Sequence, residues 1–304
     1  MNIEKIAAAA NAFHAASRAP LGFAFLDLQS GERFAIHGDE PFPTASAFKL
    51  FVLAELFRAV EAGECALDER LELSEESKSI GSGVMVLMDG GLRPTLKDLA
   101  TLMIIISDNT ATDMLMARLG KENIRRNVPD ALGFVHTRCD LCCSELIDRC
   151  YQMGGKSKQE IMASRGFFGP ANGDNEYFRC TAAENNQSSP LEMLHMLELI
   201  YKGQWVSRKA CDGMLSILKA CQTNRRIPRL LPVGTVVAHK TGTLDRLAVD
   251  AGIVYTPKGD YALSLFYNGN LASKADYEAD FRRSVGEDLL AELSLAVYEA
   301  YMEN

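Results

Sequence analysis

Ser46 and Lys49 stand three residues apart in Thr44-Ala45-Ser46-Ala47-Phe48-Lys49-Leu50-Phe51, at the head of an apolar run from Phe48 to Leu56 that ends before Gly63. In a helix this spacing puts the two side chains on one face, a turn apart. A serine hydroxyl becomes a useful nucleophile when a base takes its proton. A lysine removed from water, or set beside other cations, can be that base. The start of a helix adds backbone N–H groups that favour developing negative charge. Alone, Ser-x-x-Lys equally describes an ordinary helix start with a solvated lysine, so partners must be sought elsewhere.

Two further groups supply them: Ser107-Asp108-Asn109, and Lys240-Thr241-Gly242-Thr243 preceded by Ala238-His239. Taken in this order, the three motifs resemble those of the class A β-lactamase-related serine hydrolases, the penicillin-recognising family. The resemblance runs from about Leu21 to Asn268. It takes in Leu102-Met103-Ile104, Ala111-Thr112-Asp113 and Ile227-Pro228-Arg229-Leu230-Leu231-Pro232. It implies that Ser46 is the nucleophile and Lys49 its base. It further implies that Ser107 relays a proton to the leaving nitrogen, and that Asn109 holds Lys49 and the substrate amide. Lys240 would attract a substrate carboxylate, with Thr241 and Thr243 donating hydroxyls. The backbone N–H groups of Ser46 and Thr243 would form the oxyanion hole. Gly242 suits a strand edge that substrate backbone approaches closely.

The resemblance breaks at one place. Class A enzymes carry Arg-x-Glu-x-x-Leu-Asn on their omega loop after Thr-Arg-x-Asp. This chain has Thr137-Arg138-Cys139-Asp140 and then Leu141-Cys142-Cys143-Ser144-Glu145-Leu146-Ile147. Leu141 stands for the Arg, Cys143 for the Glu and Ile147 for the Asn. The family's Asp-Thr-Thr-x-Pro appears as Asn186-Gln187-Ser188-Ser189-Pro190. The Arg and Asp that pair in the family are therefore both absent, so the loop must be held differently. The Glu that activates water to clear the acyl-enzyme is also absent. A thiol at Cys143 would need a much lowered pKa to replace it. Glu145 is the first candidate substitute, followed by Glu160, Glu176 and Glu184. The sequence thus supports acylation better than fast deacylation.

The elements that must position these groups read as follows. An amphipathic first helix carries Ile3, Ile6, Ala10 and Phe13 on one side. A hairpin joins Leu21–Leu28 to Glu32–His37 through Gln29-Ser30-Gly31. Thr95-x-x-Asp98 is a variant capping box opening a helix with Leu96, Leu99, Leu102, Met103 and Ile106 inward, which delivers Ser107 at its end. A helix from Ala111 to Leu119 stops at Gly120, and residues 121 to 190 are the least regular. A helix follows over Leu191–Tyr201, then strands over Val233–Thr243, Ala248–Tyr255 and Tyr261–Tyr267, and a last helix from about Asp276 to Tyr301. The layout is interrupted α+β. The resemblance implies a β-lactamase/transpeptidase-like fold. This is a five-stranded antiparallel sheet flanked by the terminal helices, with an inserted all-helical part and the active site at the seam. One catalytic domain is expected over 1–304, its α/β part at about 1–41 and 228–304, its helical part at about 42–227, with an enlarged omega-loop region at about 136–190.

Composition sets the remaining bounds. The chain has 304 residues, enough for a sizeable core, and a net charge of −8, which argues against a nucleic-acid groove or an anionic membrane surface. Its start carries Glu4 and His14 and lacks a Leu-rich core, so it does not read as a signal peptide. With eight cysteines this points to a reducing cytosol and free thiols. A trimmed mature form would instead be periplasmic or secreted. Cys139, Cys142, Cys143 and Cys150 lie close together but lack a second clean pair, and no metal or other cofactor is expected. His239 is assigned to packing. The expected partner is a small carboxylate-bearing amide, β-lactam or other, and the chain is expected to be a monomer. The rival readings are a peptidase or amidase on a non-lactam substrate, a covalent sensor acylated once, and a metal- or redox-responsive protein using the cysteine-rich loop.

Overall fold

The computed structural model describes residues 3–151, 175–273 and 285–303. In chain order they form α1 (Ile3–Ala16), β1 (Leu21–Asp27), β2 (Arg33–Ile36), β3 (Phe42–Pro43), α2 (Lys49–Glu61), α3 (Leu96–Ile105), α4 (Asn109–Leu119), α5 (Lys121–Arg125), β4 (Arg138–Cys139), α6 (Cys143–Tyr151), β5 (Asn186–Ser188), α7 (Pro190–Lys202), α8 (Arg208–Lys219), β6 (Val237–Leu244), β7 (Leu247–Thr256), β8 (Gly259–Asn268) and α9 (Val285–Met302). The main sheet is five-stranded and antiparallel, in the order β2-β1-β8-β7-β6. The architecture is the α+β one expected.

Both faces of the sheet are covered, which explains why β1 is buried at every position. Leu21, Phe23 and Phe25 face Ile6, Leu290, Leu293 and Val297 of α1 and α9. Ala24 and Leu26 face the opposite core, shared with Leu50, Phe51, Met103 and Leu197 of the helical block. Successive strand residues point to opposite faces, so a sheet clad on both sides reads as an unbroken apolar run. Helix α2 is apolar all round from Leu50 to Ala54, as a central helix must be.

Local signals fix the helix ends. Thr95 accepts from the Asp98 N–H and Asp98 accepts from the Thr95 N–H, completing the capping box that opens α3. Ser189 caps α7 with Pro190 in its first turn, and Gly203 closes it at φ +70°. Three expectations need revision. Ser46 lies in a 3₁₀ turn, Ala45–Phe48, and the α-helix starts only at Lys49. The strand carrying Lys240 begins at Val237 because the chain first turns at residues 232–235, where Thr235 N donates to Pro232 O. Leu102 and Ile106 of α3 are only half-buried. The Gly166–Asn175 patch up to residue 174, Glu160, and the start of the last helix near Asp276 lie outside the described residues.

A second, three-stranded sheet, β3-β5-β4, was not legible in the sequence. Its strands are two or three residues long, too short for any period to register. It joins Phe42 to Ser188 and Cys139 to Asn186. The residues before Ser46 are thereby tied to the segment around Cys139.

Candidate active site

Ser46 sits where the edge of β6 meets the turn before α2. Gly242 makes that approach possible, since a Cβ there would stand 2.0 Å from Thr44 O and 3.2 Å from Ser46 N. No side chain fits, so the turn that carries Ser46 packs directly on the backbone of β6 at the sheet edge. Ala45, just before Ser46, holds φ +43°.

Ser107 follows α3 at φ +58°, a left-handed conformation uncommon outside glycine. From there its hydroxyl lies between two buried lysines. Lys49 Nζ donates to Ser107 Oγ at 3.2 Å, to Ser107 O at 2.8 Å and to Asn109 Oδ1 at 2.8 Å. Lys240 Nζ donates to the same Ser107 Oγ at 3.1 Å and to Thr241 O at 2.7 Å. Both lysines are 0 % exposed. Burial and then the charge of Lys49 pull the Lys240 ammonium down to about 7. Asp108 is structural: its carboxylate accepts from the Val84, Met85 and Ala111 amides, anchoring the 79–88 loop over the site.

Behind β6, His239 is more than packing. Its Nδ1 lies 2.9 Å from Asp250 Oδ1 and its Nε2 lies 3.1 Å from Asn224 Oδ1. Burial opposes its protonation, but the Asp250 carboxylate prevails and lifts it to about 10. Burial pushes the neighbouring Cys221 thiol up, yet its hydrogen bond with His239 brings it down to about 7.

A cavity of about 450 Å³ opens from Ser46 along this wall, lined by Ser107, Thr223, Arg225, Arg226, Thr241 and Thr243 among others. The motif search missed Thr223, Arg226 and Glu287. Thr223 Oγ1 is 2.7 Å from Thr241 Oγ1. Arg226 donates to Thr243 Oγ1 at 2.6 Å, to Glu287 Oε1 at 2.9 Å and to Val249 O at 3.1 Å. Burial lowers its guanidinium while Asp250 and Glu287 oppose that. The adjacent pair Arg225-Arg226 ahead of Ile227-Pro228 was the available signal. The wall of this cavity thus carries Arg225, Arg226, the hydroxyls of Thr223, Thr241 and Thr243, and the Glu287 carboxylate that pairs with Arg226, with Lys240 buried behind Ser107.

The omega-loop side is different. The amides of Cys143 and Ser144 donate to Asp113 Oδ1 and Oδ2 at 2.6 and 3.1 Å, so Asp113 fixes the start of α6. Cys143 is thus held facing Ser46 and Asn109 across a cavity of about 100 Å³. Burial pushes its thiol far above the ordinary cysteine range, so it is no base. The expectation for Glu145 is corrected. Its carboxylate lies 2.8 Å from Lys121 Nζ and accepts from the Cys142 N–H at 2.8 Å, lining a different cavity with Asp113, Glu76 and Lys121. Burial opposes ionisation, but the Lys121 hydrogen bonds hold this carboxyl below its ordinary value. Residue 145 is two positions on from 143 in a helix, which turns its side chain to another face. Glu176 and Glu184 are exposed and line none of the cavities at Ser46.

The loop is held by an amide in place of the family's ion pair. Leu141 N donates to Asn186 Oδ1 at 3.0 Å and Asn186 Nδ2 donates to Leu141 O at 2.7 Å. The backbone O of Asn186 accepts from Thr44 N at 3.0 Å. One residue therefore joins the loop to the turn that carries Ser46. The eight cysteines are free thiols. Among the described residues, no group of three or more His, Cys, Asp or Glu side chains could hold a metal ion. No described helix is long and apolar enough to cross a membrane.

Residues 4–301 match the family model described as "Beta-lactamase enzyme family". The chain is 20% identical over 294 residues to Beta-lactamase VEB-1 of Pseudomonas aeruginosa, covering 94% of this chain and 87% of that one. The crystal structure of a beta-lactamase from Sphaerobacter thermophilus superposes with a TM-score of 0.76 at 27% identity, over 100% of this chain and 99% of that one. A variant of PBP-A, solved as an acyl-enzyme complex with penicillin G, matches with a TM-score of 0.76 at 24% identity, over 100% and 98% of the two chains.

Proposed function

The chain belongs to the beta-lactamase enzyme family as a class A-like amide hydrolase, and from that premise we propose that it forms an acyl-enzyme on Ser46 which it releases slowly. One observation carries this reading: Ser107 Oγ is shared by Lys49 and Lys240 beside Ser46, while the loop facing that serine presents Cys143 where a water-activating carboxylate would stand.

In the proposed sequence the substrate carboxylate lies against Lys240, Thr241, Thr243 and Arg226. Its carbonyl oxygen lies between the Ser46 and Thr243 amides, which stabilise the developing oxyanion. Lys49, acting as the base, takes the Ser46 proton as Oγ bonds to the carbonyl carbon. The C–N bond then breaks, and the leaving nitrogen receives its proton through Ser107, which both lysines orient. Hydrolysis of the resulting ester needs a base on the opposite side. Cys143 is protonated and Glu145 is bound to Lys121, so neither fills that role.

The test is intact-mass spectrometry of the protein over time with a penicillin. The expected result is an adduct that accumulates to one equivalent and persists. An adduct that decays with release of hydrolysed penicillin would overturn slow release. No adduct and no product would overturn acylation of Ser46 by β-lactams.

A further inference from the structure

We propose that Cys221 is a site of reversible oxidation by hydroperoxides, and that the sulfenic acid formed there slows acylation of Ser46. The oxidation stands on the surroundings of the thiol alone. Its effect rests on the acylation of Ser46 proposed above.

Cys221 follows α8 and leads into Gln222 and Thr223, which line the cavity at Ser46. Gln222 N donates to Ile105 O at 2.9 Å, which pins this turn to the end of α3. Cys221 itself is 7 % exposed and lies behind the cavity lining. A peroxide is small enough to reach such a sulfur, and an acyl substrate is not. The sulfur is hydrogen-bonded with the His239 imidazole. His239 Nδ1 in turn lies 2.9 Å from Asp250 Oδ1, and Asp250 Oδ2 accepts from the Ile227 N–H at 3.0 Å. Thiol, imidazole and carboxylate thus form a chain of nucleophile, base and orienting group, held in a buried place where water cannot replace any partner. Lys240, the next residue along β6, adds positive charge to the same surroundings. An imidazolium beside a sulfur favours the thiolate, the form that reacts with peroxide.

The loop cysteines are driven the other way. Burial raises Cys139, Cys142, Cys143, Cys150 and Cys180, and none of them has an imidazole beside it among the described residues. Redox sensitivity therefore belongs to Cys221 and not to the cysteine-rich loop. In the reaction, the thiolate Sγ bonds to one oxygen of hydrogen peroxide as the O–O bond breaks. The sulfur loses two electrons and becomes Cys–SOH, and the departing hydroxide takes the His239 proton and leaves as water. Two equivalents of an added thiol reverse the change, giving the free cysteine, a disulfide and water. The effect reaches the cavity through hydroxyls. Cys221 Sγ lies 3.1 Å from Thr223 Oγ1, which lies 2.7 Å from Thr241 Oγ1, and both threonines line the cavity. An oxygen added on that side does not fit between sulfur and hydroxyl, so Thr223 gives way and Thr241 loses its partner.

The test treats the full chain with hydrogen peroxide at neutral pH, quenches with catalase and unfolds it in dimedone, which tags sulfenic acids for peptide mapping. Cys221 should be tagged at least about tenfold faster than any of the other seven cysteines. His239→Gln, which removes the cation, should slow that tagging by about tenfold. In parallel, the oxidised chain should form its penicillin adduct about two- to tenfold more slowly, the worth of one hydrogen bond, and should recover with dithiothreitol. Cys221→Ser should form the adduct at a rate that peroxide does not change, and Cys221→Ala serves if the serine variant fails to fold. If the His239 variant fails to fold, the map on the unaltered chain decides. Tagging led by the loop cysteines or spread evenly, or a folded His239→Gln tagged as fast, would overturn the oxidation site. Tagging at Cys221 with an unchanged adduct rate would overturn the coupling to Ser46. A chain inert to penicillin before and after peroxide would instead overturn the acylation reading, and the dimedone map would still decide the oxidation site.

Discussion

The wall carrying Ser107 and Lys240 and the wall from Cys143 to Tyr151 face the same serine with opposite chemistry. The first holds buried cations whose N–H groups converge on one hydroxyl, backed by the His239–Asp250 pair. The second is largely apolar, and the carboxylate it carries, Glu145, is turned away to Lys121. In the proposed mechanism, making an acyl bond and breaking it by water draw on different walls. A fold can therefore keep one complete while the other changes, without disturbing the serine between them.

The contrast is sharpest at Ser46. Ser46→Ala should abolish all covalent labelling by penicillin, read by intact mass. Labelling that persists and maps to Cys143 would mean the apolar wall, and not the turn before α2, supplies the reacting atom. Next in size is Lys49→Ala, which should slow adduct formation by about 10²- to 10⁴-fold, the usual worth of a general base, in a stopped-flow or quenched mass experiment.

The cationic wall depends on a support that the apolar wall lacks. Asp250→Ala leaves His239 buried without its carboxylate and should cost about 3–5 kcal/mol in urea unfolding. The pH window follows from His239, whose value rises on folding from the usual 6.5 to about 10. Its contribution is fully present below pH about 6.5 and is lost as pH rises through about 10, so the two proteins should converge above that pH. Lys240 works in the other direction. Its ammonium is held down to about 7, so its charge in the free enzyme fades as pH rises through that value. The second-order rate of acylation by a carboxylate-bearing substrate should fall by up to about tenfold per pH unit above it. A matched substrate lacking the carboxylate should not follow.

The smallest effect belongs to the residue that sequence spacing favoured. Glu145→Gln should change stability by no more than about 1 kcal/mol, since it removes a half-exposed ion pair. It should leave the adduct lifetime unchanged. A longer lifetime would show Glu145 reaching the ester and would erase the distinction between the walls.

That Ser46, Lys49, Ser107, Asn109 and Lys240 would gather in one place was legible because Ser-x-x-Lys, Ser-Asp-Asn and Lys-Thr-Gly each keep side chains at fixed spacing within one turn or strand. The capping box at Thr95 and the alternation-free apolar strands were equally local signals. What escaped was whatever depends on distant pairing. Thr223 and Arg226 act through Thr241 and Thr243, strand neighbours in space only. Asp113 acts across thirty positions on the Cys143 amide. Glu145 was misread because position 143, once helical, turns residue 145 to another face.

The amide clamp between Asn186 and Leu141 bears on how such a loop arises. Leu141→Arg alone would bring a guanidinium into a site 2 % exposed, where Asn186 offers no counter-charge. Asn186→Asp alone would remove the donor to Leu141 O and leave a carboxylate with one amide partner. Each single exchange is worse than either complete clamp. The neutral and ionic versions are therefore separate peaks in sequence space, and a lineage crosses between them only by changing both residues together or by passing through a weakened loop.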